Sequence, residues 1–270
     1  MTLGFGGDVA QYYAKFRRGY PPGILEVLRE SFALTPHDTV LDLGCGTGQL
    51  AVPLASHVRS VIGMDPEPDM LCHAGEAATQ QGVTNVTWVL GADTDIPSLG
   101  ALLDGRPLAM TVIGQALHWM RHDTLFGELV RLHRPGGGVA VLANGSPAWL
   151  HDSDWSRALR RCLEEHFETE LKDSCGTAAQ DRIRYTQALE AAGFEDVQDR
   201  TVSYSEELTS EELIGGVFSA IPEGRLPAPA DRPAFAERIR RALPPGDSFT
   251  EHVRVSVLTG KAPEEPGGRL

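Results

Sequence analysis

The sequence predicts an α/β fold in which helices cover both faces of a doubly wound sheet of about seven strands. The sheet is expected to be mostly parallel, with an antiparallel last strand and helical cap insertions after the fifth strand. Three observations support this. Short apolar runs and helical segments alternate five times before residue 144. A glycine-rich turn closes the first apolar run, and two later segments show the alternation typical of strands.

The elements of the first half follow from apolar periodicity. Pro21 and Pro22 open a predicted helix over 22–33, because proline is favoured in the first turn of a helix. Further helices are predicted over 48–57, 67–81 and 122–133 from residues recurring at helical spacing. Short apolar runs predict five buried strands, which are Thr39–Leu43, Ser60–Met64, Val86–Leu90, Leu108–Ile113 and Val139–Ala143.

The spacing of apolar residues changes in the second half of the chain. Apolar residues fall four apart between Trp155 and Leu171 and predict one long amphipathic helix over 152–171. Other helices are predicted over 178–192, 210–221 and 233–243. Val197–Tyr204 and His252–Leu258 alternate as strands, which completes the sheet.

Composition excludes several classes of protein. The 270-residue chain has 41% hydrophobic residues and a net charge of −13, from 24 basic and 37 acidic residues. This balance argues against nucleic-acid binding, because phosphate contacts need a basic face. No apolar run approaches the ~20 residues that cross a bilayer, so we expect a cytoplasmic protein with no membrane contact. Four scattered cysteines are expected to stay reduced.

The glycine-rich turn is the most informative segment. Val40–Gly48 runs from a strand into three alternating glycines, an arrangement that lets a ligand approach the backbone closely. Asp65 ends the next predicted strand, 21 residues after Gly44. That spacing suits a carboxylate that accepts hydrogen bonds from ribose hydroxyls.

The same turn narrows the choice of nucleoside. Dinucleotide-binding turns follow the pattern G-x-G-x-x-G, but Gln49 stands where the last glycine would fall. No Gly-Lys-Ser/Thr follows the turn either, so the phosphate-binding loop of nucleotide triphosphatases is excluded. A nucleoside without phosphates fits this turn best.

Val40–Gly48, read as VLDLGCGTG, resembles motif I of the class I S-adenosylmethionine-dependent methyltransferases, which have a Rossmann-like fold. The resemblance covers residues 8–144 well. Further matching segments keep the family's order, and they are Ile62–Asp65, Gly91–Pro97, Gln115–Trp119 and Arg134–Gly137. The segment Tyr13–Arg17 and the His-Trp pair are similar to the small-molecule branch near the trans-aconitate and ubiquinone-type enzymes. Arg18 stands where that branch often has proline.

The resemblance implies S-adenosylmethionine as cofactor and S-adenosylhomocysteine as product. By that resemblance the methionine part would lie over the glycine turn, contacting Gly44, Cys45, Gly46 and Gly48. Asp42 would face the methionine ammonium group, with Gln115 close to the same moiety. Tyr13 and Arg17 would close over the cofactor, the guanidinium reaching its carboxylate. An ordinary amphipathic helix packed on the core is the alternative for these two.

The nucleoside contacts implied by the resemblance follow the second and third strands. Asp65 would accept from the ribose hydroxyls, and Met64 and Pro66 would flank the adenine. Asp93 would accept from the adenine amino group, with Thr94 beside it. A plain turn residue is the alternative for Asp93, since aspartate is common in turns.

Methyl transfer needs an in-line approach and a dry pocket more than a protein nucleophile. The predicted substrate pocket is lined by His118 and four aromatic residues, Tyr12, Tyr20, Trp119 and Trp149. His118 is the predicted catalytic base, because histidine titrates near neutral pH and this one follows a core strand. A structural histidine is the alternative. His151 and His166 are weaker candidates.

The resemblance divides the chain into four parts. Residues 1–21 would form an N-terminal lid and 22–144 the S-adenosylmethionine-binding core. Residues 145–262 would add the last strands and a helical substrate cap, and 263–270 would form a flexible tail. The long helix 152–171 could bury its apolar stripe within the chain or across a homodimer interface.

The predicted function is methyl transfer to a small-molecule metabolite or natural product. One alternative keeps the cofactor but catalyses cyclisation or elimination, and another is a non-catalytic cofactor-binding partner protein. No metal is expected, because His118 and His122 lack a third ligand at suitable spacing. Residues 114–119 lack the Asn/Asp-Pro-Pro-aromatic motif of enzymes that methylate the exocyclic amine of a base. No Gly-x-Ser-x-Gly elbow indicates a hydrolase.

Overall fold

A computed structural model describes residues 4–172, 176–246 and 248–264. Its sheet contains seven strands, which are β1 Thr39–Leu43, β2 Ser60–Asp65, β3 Val86–Leu90, β4 Leu108–Gly114, β5 His133–Asn144, β6 Glu195–Thr209 and β7 Ser248–Lys261. The strand order is β3-β2-β1-β4-β5-β7-β6. Strands β1 to β5 pair in parallel, and β7 runs antiparallel to both its neighbours. The predicted fold class is confirmed.

Helices lie along both faces of this sheet and above one of its edges. They are α1 Gly7–Phe16, α2 Pro22–Ser31, α3 Ala51–Leu54, α4 Pro68–Gln80, α5 Ile96–Leu103, α6 His122–Leu129, α7 Asp154–Phe167, α8 Ala179–Ala191, α9 Ser210–Ala220 and α10 Arg232–Ala242. Within the ranges given above, none of these helices combines the length and the apolar character that crossing a bilayer requires.

Three apolar clusters form the core. Alternate residues of β1 divide between the two faces of the sheet: Val40 packs in the cluster that contains α2, and Leu41 packs in the cluster that contains α6 and α8. This alternation buries both faces of the parallel strands, as a doubly wound sheet requires. A third cluster joins α7, α9 and α10 to Phe249 of β7, and we call this cluster the cap.

Two predicted helices are shorter in the structure. The helix predicted over 48–57 is regular only over Ala51–Leu54, because Pro53 has no N–H to bond to the carbonyl of residue 49. Proline is tolerated here because it lies in the first turn of the shorter helix. The helix predicted over 152–171 ends at Phe167, where Glu168 adopts a left-handed conformation with φ of +50°. Leu171 therefore packs on the cap from outside the helix.

Three strands are several residues longer than predicted, since β5, β6 and β7 all extend beyond the predicted ranges 139–143, 197–204 and 252–258. Arg134–Gly137 is typical of a turn, yet β5 already begins at His133, which pairs with Leu108 of β4. The irregular segment is accommodated as a register shift before Met110. At Gly138 an added Cβ atom would lie 2.0 Å from the carbonyl oxygen of Gly260, so only glycine allows β5 and β7 to pair this closely. The helix α5 was not predicted.

Candidate functional site

The glycine turn lies at the carboxyl end of β1, next to β2 and β4. The N–H groups of Gly44 and Cys45 both donate to the Met64 carbonyl, at 2.8 and 3.0 Å. Gly44 has a φ of +74°, and an added Cβ atom would lie 2.5 Å from the side chain of Ala116. The turn therefore needs glycine here for its conformation and for its close contact with the segment that follows β4.

The side chain of Asp65, the last residue of β2, is hydrogen-bonded to this turn. Its Oδ2 atom accepts the N–H of Gly46 at 2.8 Å, and its Oδ1 atom accepts the N–H of Glu67 at 2.9 Å. Burial raises the pKa of Asp65, and these two N–H groups oppose that rise. Each carboxylate oxygen can accept a second hydrogen bond, so Asp65 retains the capacity to bind a hydroxyl group.

Asp42 is a buried acid without a partner. Its side chain lies on β1, one strand residue before the turn, and Asp42 is 1% exposed. Within the described ranges, neither of its carboxylate oxygens meets a hydrogen-bond donor. Burial raises the pKa of Asp42 to about 7; the Ala51 N–H, which is near the carboxylate but outside hydrogen-bond geometry, opposes the rise, and the charge of Asp65 adds to it.

Two more buried acceptors lack partners along the same edge of the sheet. Gln115 follows β4 with a φ of +53°, and its Oε1 atom has no donor in the described part of the chain. The same holds for Oδ1 of Asn144, the last residue of β5. Strands β1, β4 and β5 are consecutive in the sheet. Buried acceptors are normally satisfied, so this row indicates a ligand that brings donors.

These residues fit S-adenosylmethionine. Its ammonium group carries a positive charge and three donors, which the unpartnered carboxylate of Asp42 would accept. Glycine at position 44 gives the turn its positive φ and lets it pack on Ala116, which places the turn beside Asp42. Asp65 lies at the end of the adjacent strand and can receive ribose hydroxyls.

The N-terminal helix covers the turn. The Tyr13 ring lies 3.6 Å from the position that a Cβ atom on Gly46 would take, and the Arg17 guanidinium lies 5.2 Å from the centre of that ring. Burial raises the pKa of Tyr13, and the charge of Arg17 opposes the rise. The N–H of Gly7 donates to Asp69 Oδ2 at 2.6 Å, which ties the start of α1 to α4. Tyr13 thus lies over the turn with Arg17 against its ring, and the contact of both residues with a cofactor stays a prediction.

The residues expected near adenine lie on the other side of the turn. Met64 is buried, and its sulfur lies 3.4 Å from the position that a Cβ atom on Gly91 would take. Pro66 follows Met64 two residues later in the chain. Asp93 Oδ2 accepts the N–H of Arg121 at 2.9 Å, so this carboxylate also links two loops. Thr94 is exposed. The adenine contacts stay a prediction.

His118 faces helix α8. A Cβ atom added to Gly176 would lie 3.0 Å from His118 Cβ, and a cleft of about 10 Å³ separates this region from Arg182 and Tyr185. Such a cleft holds one water molecule at most. Trp119 is 50% exposed and its ring lies 5.9 Å from that of Phe5. The role of His118 as a base stays a prediction, and the cleft beside it offers no room for an acceptor.

The other predicted pocket residues lie in three different environments. Tyr12 packs edge-on against Phe218 at 4.9 Å and lines a cavity of about 390 Å³ between α1, α9 and α10. Trp149 packs on the cap cluster. Tyr20 reaches the ligand edge of the sheet, because its hydroxyl oxygen lies 2.7 Å from the Cβ position of Gly114. Burial raises the pKa of Tyr20 well above its usual value.

A charged cluster beside this edge was not predicted. Arg18 donates to Glu206 Oε2 at 2.7 Å and also to Glu251, which is 2% exposed. The ring of His151 lies on the other side of Glu251, with Nε2 3.5 Å from Oε1. The sequence did carry one signal: Glu251 alternates with Val253 and Val255 on the buried face of β7. A buried carboxylate requires a partner.

Comparisons with known proteins agree with this geometry. The methyltransferase domain family matches residues 40–137. The uncharacterised methyltransferase Rv3342 of Mycobacterium tuberculosis is 31% identical over 219 residues, which cover 81% of this chain and 77% of the relative. A candidate type II methyltransferase from Anaeromyxobacter dehalogenans is 18% identical, with a TM-score of 0.63 over 93% of this chain and 100% of that chain. Precorrin 8w decarboxylase from Methanobacterium thermoautotrophicum is 13% identical, with a TM-score of 0.55 over 91% of this chain and 93% of that chain.

Proposed function

This chain belongs to the class I S-adenosylmethionine-dependent methyltransferases, and we propose that it binds S-adenosylmethionine and transfers the methyl group to a small-molecule acceptor. The observation that carries the proposal is the unpartnered carboxylate of Asp42 beside the glycine turn. A buried acid without donors is costly unless a ligand supplies a counter-charge. The methionine ammonium is such a group.

The residues around the turn have distinct proposed roles. When bound, S-adenosylmethionine supplies an electrophilic methyl group on a positively charged sulfur. Asp42 would hold the ammonium, and Gln115 would accept a further hydrogen bond close to it. Asp65 would hold the ribose and, through the N–H of Gly46, keep the turn in place. Tyr13 would exclude water from the turn it covers.

A small acceptor fits the surroundings of the site. The lid helix α1 packs against α9 so closely that a Cβ atom on Gly215 would lie 2.2 Å from the Phe16 ring. A site closed by a lid and a cap suits a molecule that can be enclosed. The net charge of −13 disfavours a nucleic-acid substrate.

We assign the parts of the chain accordingly. Residues 1–21 would form the lid, 22–144 the cofactor-binding core, and 145–262 the last strands and the substrate cap. Two contacts support this division. Tyr13 lies against the glycine turn, and the cluster of α7, α9 and α10 packs on β7. The proposed flexible tail, residues 263–270, lies mostly outside the described residues.

Calorimetric titration tests the cofactor assignment. We expect S-adenosylmethionine and S-adenosylhomocysteine to bind with micromolar dissociation constants, and NAD not to bind. Asp65→Ala should weaken cofactor binding about tenfold or more, because it removes a charged hydrogen-bond acceptor. Asp123→Asn is the matched control, since the Asp123 side chain is 85% exposed.

Product analysis then separates methyl transfer from other uses of the cofactor. With S-adenosylmethionine carrying a ¹³C-methyl group, a transferase places the label on an added acceptor and releases S-adenosylhomocysteine. Cofactor binding without label transfer to any member of a broad metabolite extract would instead favour a non-methylating enzyme or a cofactor-binding partner protein. Binding of NAD alone would contradict the proposal.

A further inference from the structure

The segment after β5 brings a histidine back toward the ligand edge of the sheet. Strand β5 ends at Asn144, beside β4, and a short turn at Ala148–Leu150 leads to His151. The His151 side chain is 14% exposed and its ring lies 5.9 Å from that of Trp155. His151 is thus partly buried at the base of the cap, close to the end of the strand that carries an unpartnered acceptor.

The contacts of the ring fix which nitrogen carries the proton. His151 Nε2 lies 3.0 Å from the carbonyl oxygen of Ser146 and 3.5 Å from Glu251 Oε1. A carbonyl oxygen can only accept, so Nε2 must donate an N–H. In the neutral ring Nδ1 then has a free lone pair. Among residues 4–172, 176–246 and 248–264, none is hydrogen-bonded to that atom.

Arg18, in the proposed lid segment 1–21, holds Glu251 in place. The Glu251 carboxylate accepts from the guanidinium of Arg18, which also donates to Glu206 at 2.7 Å. Arg18 stands two residues before Tyr20, whose hydroxyl lies at the carboxyl end of β4. Tyr204 of β6 links the two places, because it lies within electrostatic range of Tyr20 on one side and of Arg18 and Glu251 on the other.

We propose that His151, oriented by Glu251, is the catalytic group that takes the proton from the acceptor, and that the acceptor is an uncharged molecule with an O–H or N–H nucleophile. The inference rests on the proposed methyl transfer. Two carboxylates face a single guanidinium in the cluster, so its charge disfavours an anionic acceptor. The neighbouring rings of Trp155 and Tyr204 favour an aromatic or apolar one.

The proposed step is balanced as follows. The acceptor oxygen or nitrogen bonds to the methyl carbon while the carbon–sulfur bond breaks, and that electron pair returns to sulfur. The proton of the O–H or N–H passes to His151 Nδ1. Glu251 balances the charge of the imidazolium, which later releases the proton to water. Glu251 acts through the histidine and is therefore a positioning residue.

Nuclear magnetic resonance on ¹⁵N-histidine-labelled protein with S-adenosylhomocysteine tests this inference without turnover. His151→Gln identifies the His151 signals by their loss. At pH 8 we expect Nε2 to be protonated and Nδ1 to be unprotonated. Glu251→Gln should weaken, without abolishing, the preference for the Nε2–H tautomer, because the carboxylate no longer favours that N–H while the Ser146 carbonyl still accepts it. His252→Gln is the matched control, since His252 is exposed and bonds to Ser205 on the neighbouring strand β6.

Phenol and anisole are the probes of acceptor binding, since only phenol can donate a hydrogen bond. We expect phenol to shift the His151 Nδ1 signal and anisole to leave it in place. His151→Gln should bind phenol about tenfold more weakly, the effect of one lost hydrogen bond. A protonated Nδ1, equal shifts with both probes, or no shift with phenol would each overturn the inference. Failure of S-adenosylhomocysteine to bind in calorimetry would overturn the proposed function, and the tautomer of His151 would still be measured.

Discussion

Replacing Asp42 by asparagine should make the cofactor-free protein more stable at pH 8 and weaken its binding of S-adenosylmethionine. The carboxylate is buried at 1% exposure and has no donor among the described residues. An amide of the same shape carries no charge, so it avoids the cost of burying an ion. The same exchange removes the counter-charge that the ammonium group would need.

The size of the effect follows from the pKa of Asp42, which burial raises from 3.8 to about 7. Because the folded protein holds this proton more tightly than the unfolded chain, stability falls as the pH rises through that interval. At about 1.4 kcal/mol for each pH unit, burying Asp42 costs roughly 4 kcal/mol at pH 8, where it is ionised, and roughly 1.5 kcal/mol at pH 5, where it must first take up a proton. Asp42→Asn should therefore gain roughly 2.5 kcal/mol between these two pH values relative to the natural protein.

Urea denaturation at pH 5 and pH 8, without cofactor, measures this difference. The free energy of unfolding of Asp42→Asn is compared with that of the natural protein at each pH, which cancels the titration of all other groups. Asp123→Asn serves as the exposed control and should show no difference between the two pH values. If Asp42→Asn gained no stability at pH 8 relative to pH 5, the unpartnered, buried state of Asp42 would be refuted.

Two further substitutions test the turn and the lid. Gly44→Ala should abolish cofactor binding and cost more stability than Gly82→Ala, because both glycines have positive φ (+74° and +68°) but only Gly44 has a neighbour in the way. Gly82→Ala should cost about 1 kcal/mol in thermal unfolding, and equal losses would contradict the close contact. Arg18→Met should cost about 3–5 kcal/mol, since Glu251 would be buried without its partner. Lys15→Met removes an exposed ion pair and should cost at most about 1 kcal/mol, so similar losses would show that the Arg18 contact contributes little.

Local patterns predicted the central elements of the fold. Strands β1 and β3 have the predicted bounds, because each is a short apolar run closed by turn residues. Helix α5 was missed because Pro97 and Gly100 interrupt a short segment, although Pro97 in fact lies in the first turn of the helix. The early start of β5 was missed because its pairing with β4 and β7 is a long-range effect that overrides a turn-like sequence.

The candidate site also contains residues that local patterns predicted and residues that they missed. The glycine turn and Asp65 were predictable because both occur at strand ends with a known spacing. The cluster around Glu251 was not, since Arg18 contacts a residue 233 positions away in the sequence. His118 illustrates the limit of local patterns: its position after β4 was correct, but its side chain borders the segment that leads into α8.

Three of the five described residues that have a buried polar side-chain atom without a hydrogen-bond partner lie together at one edge of the sheet. Asp42 is a buried acid without donors, Gln115 has a positive φ with a buried oxygen unpartnered, and Asn144 repeats the unpartnered oxygen on the next strand. A sheet optimised for stability alone would have donors or apolar side chains at these positions. Because strands β1, β4 and β5 are adjacent, a single ligand could satisfy all three. The physical chemistry of this edge therefore indicates a cationic, donor-rich ligand independently of any resemblance between sequences.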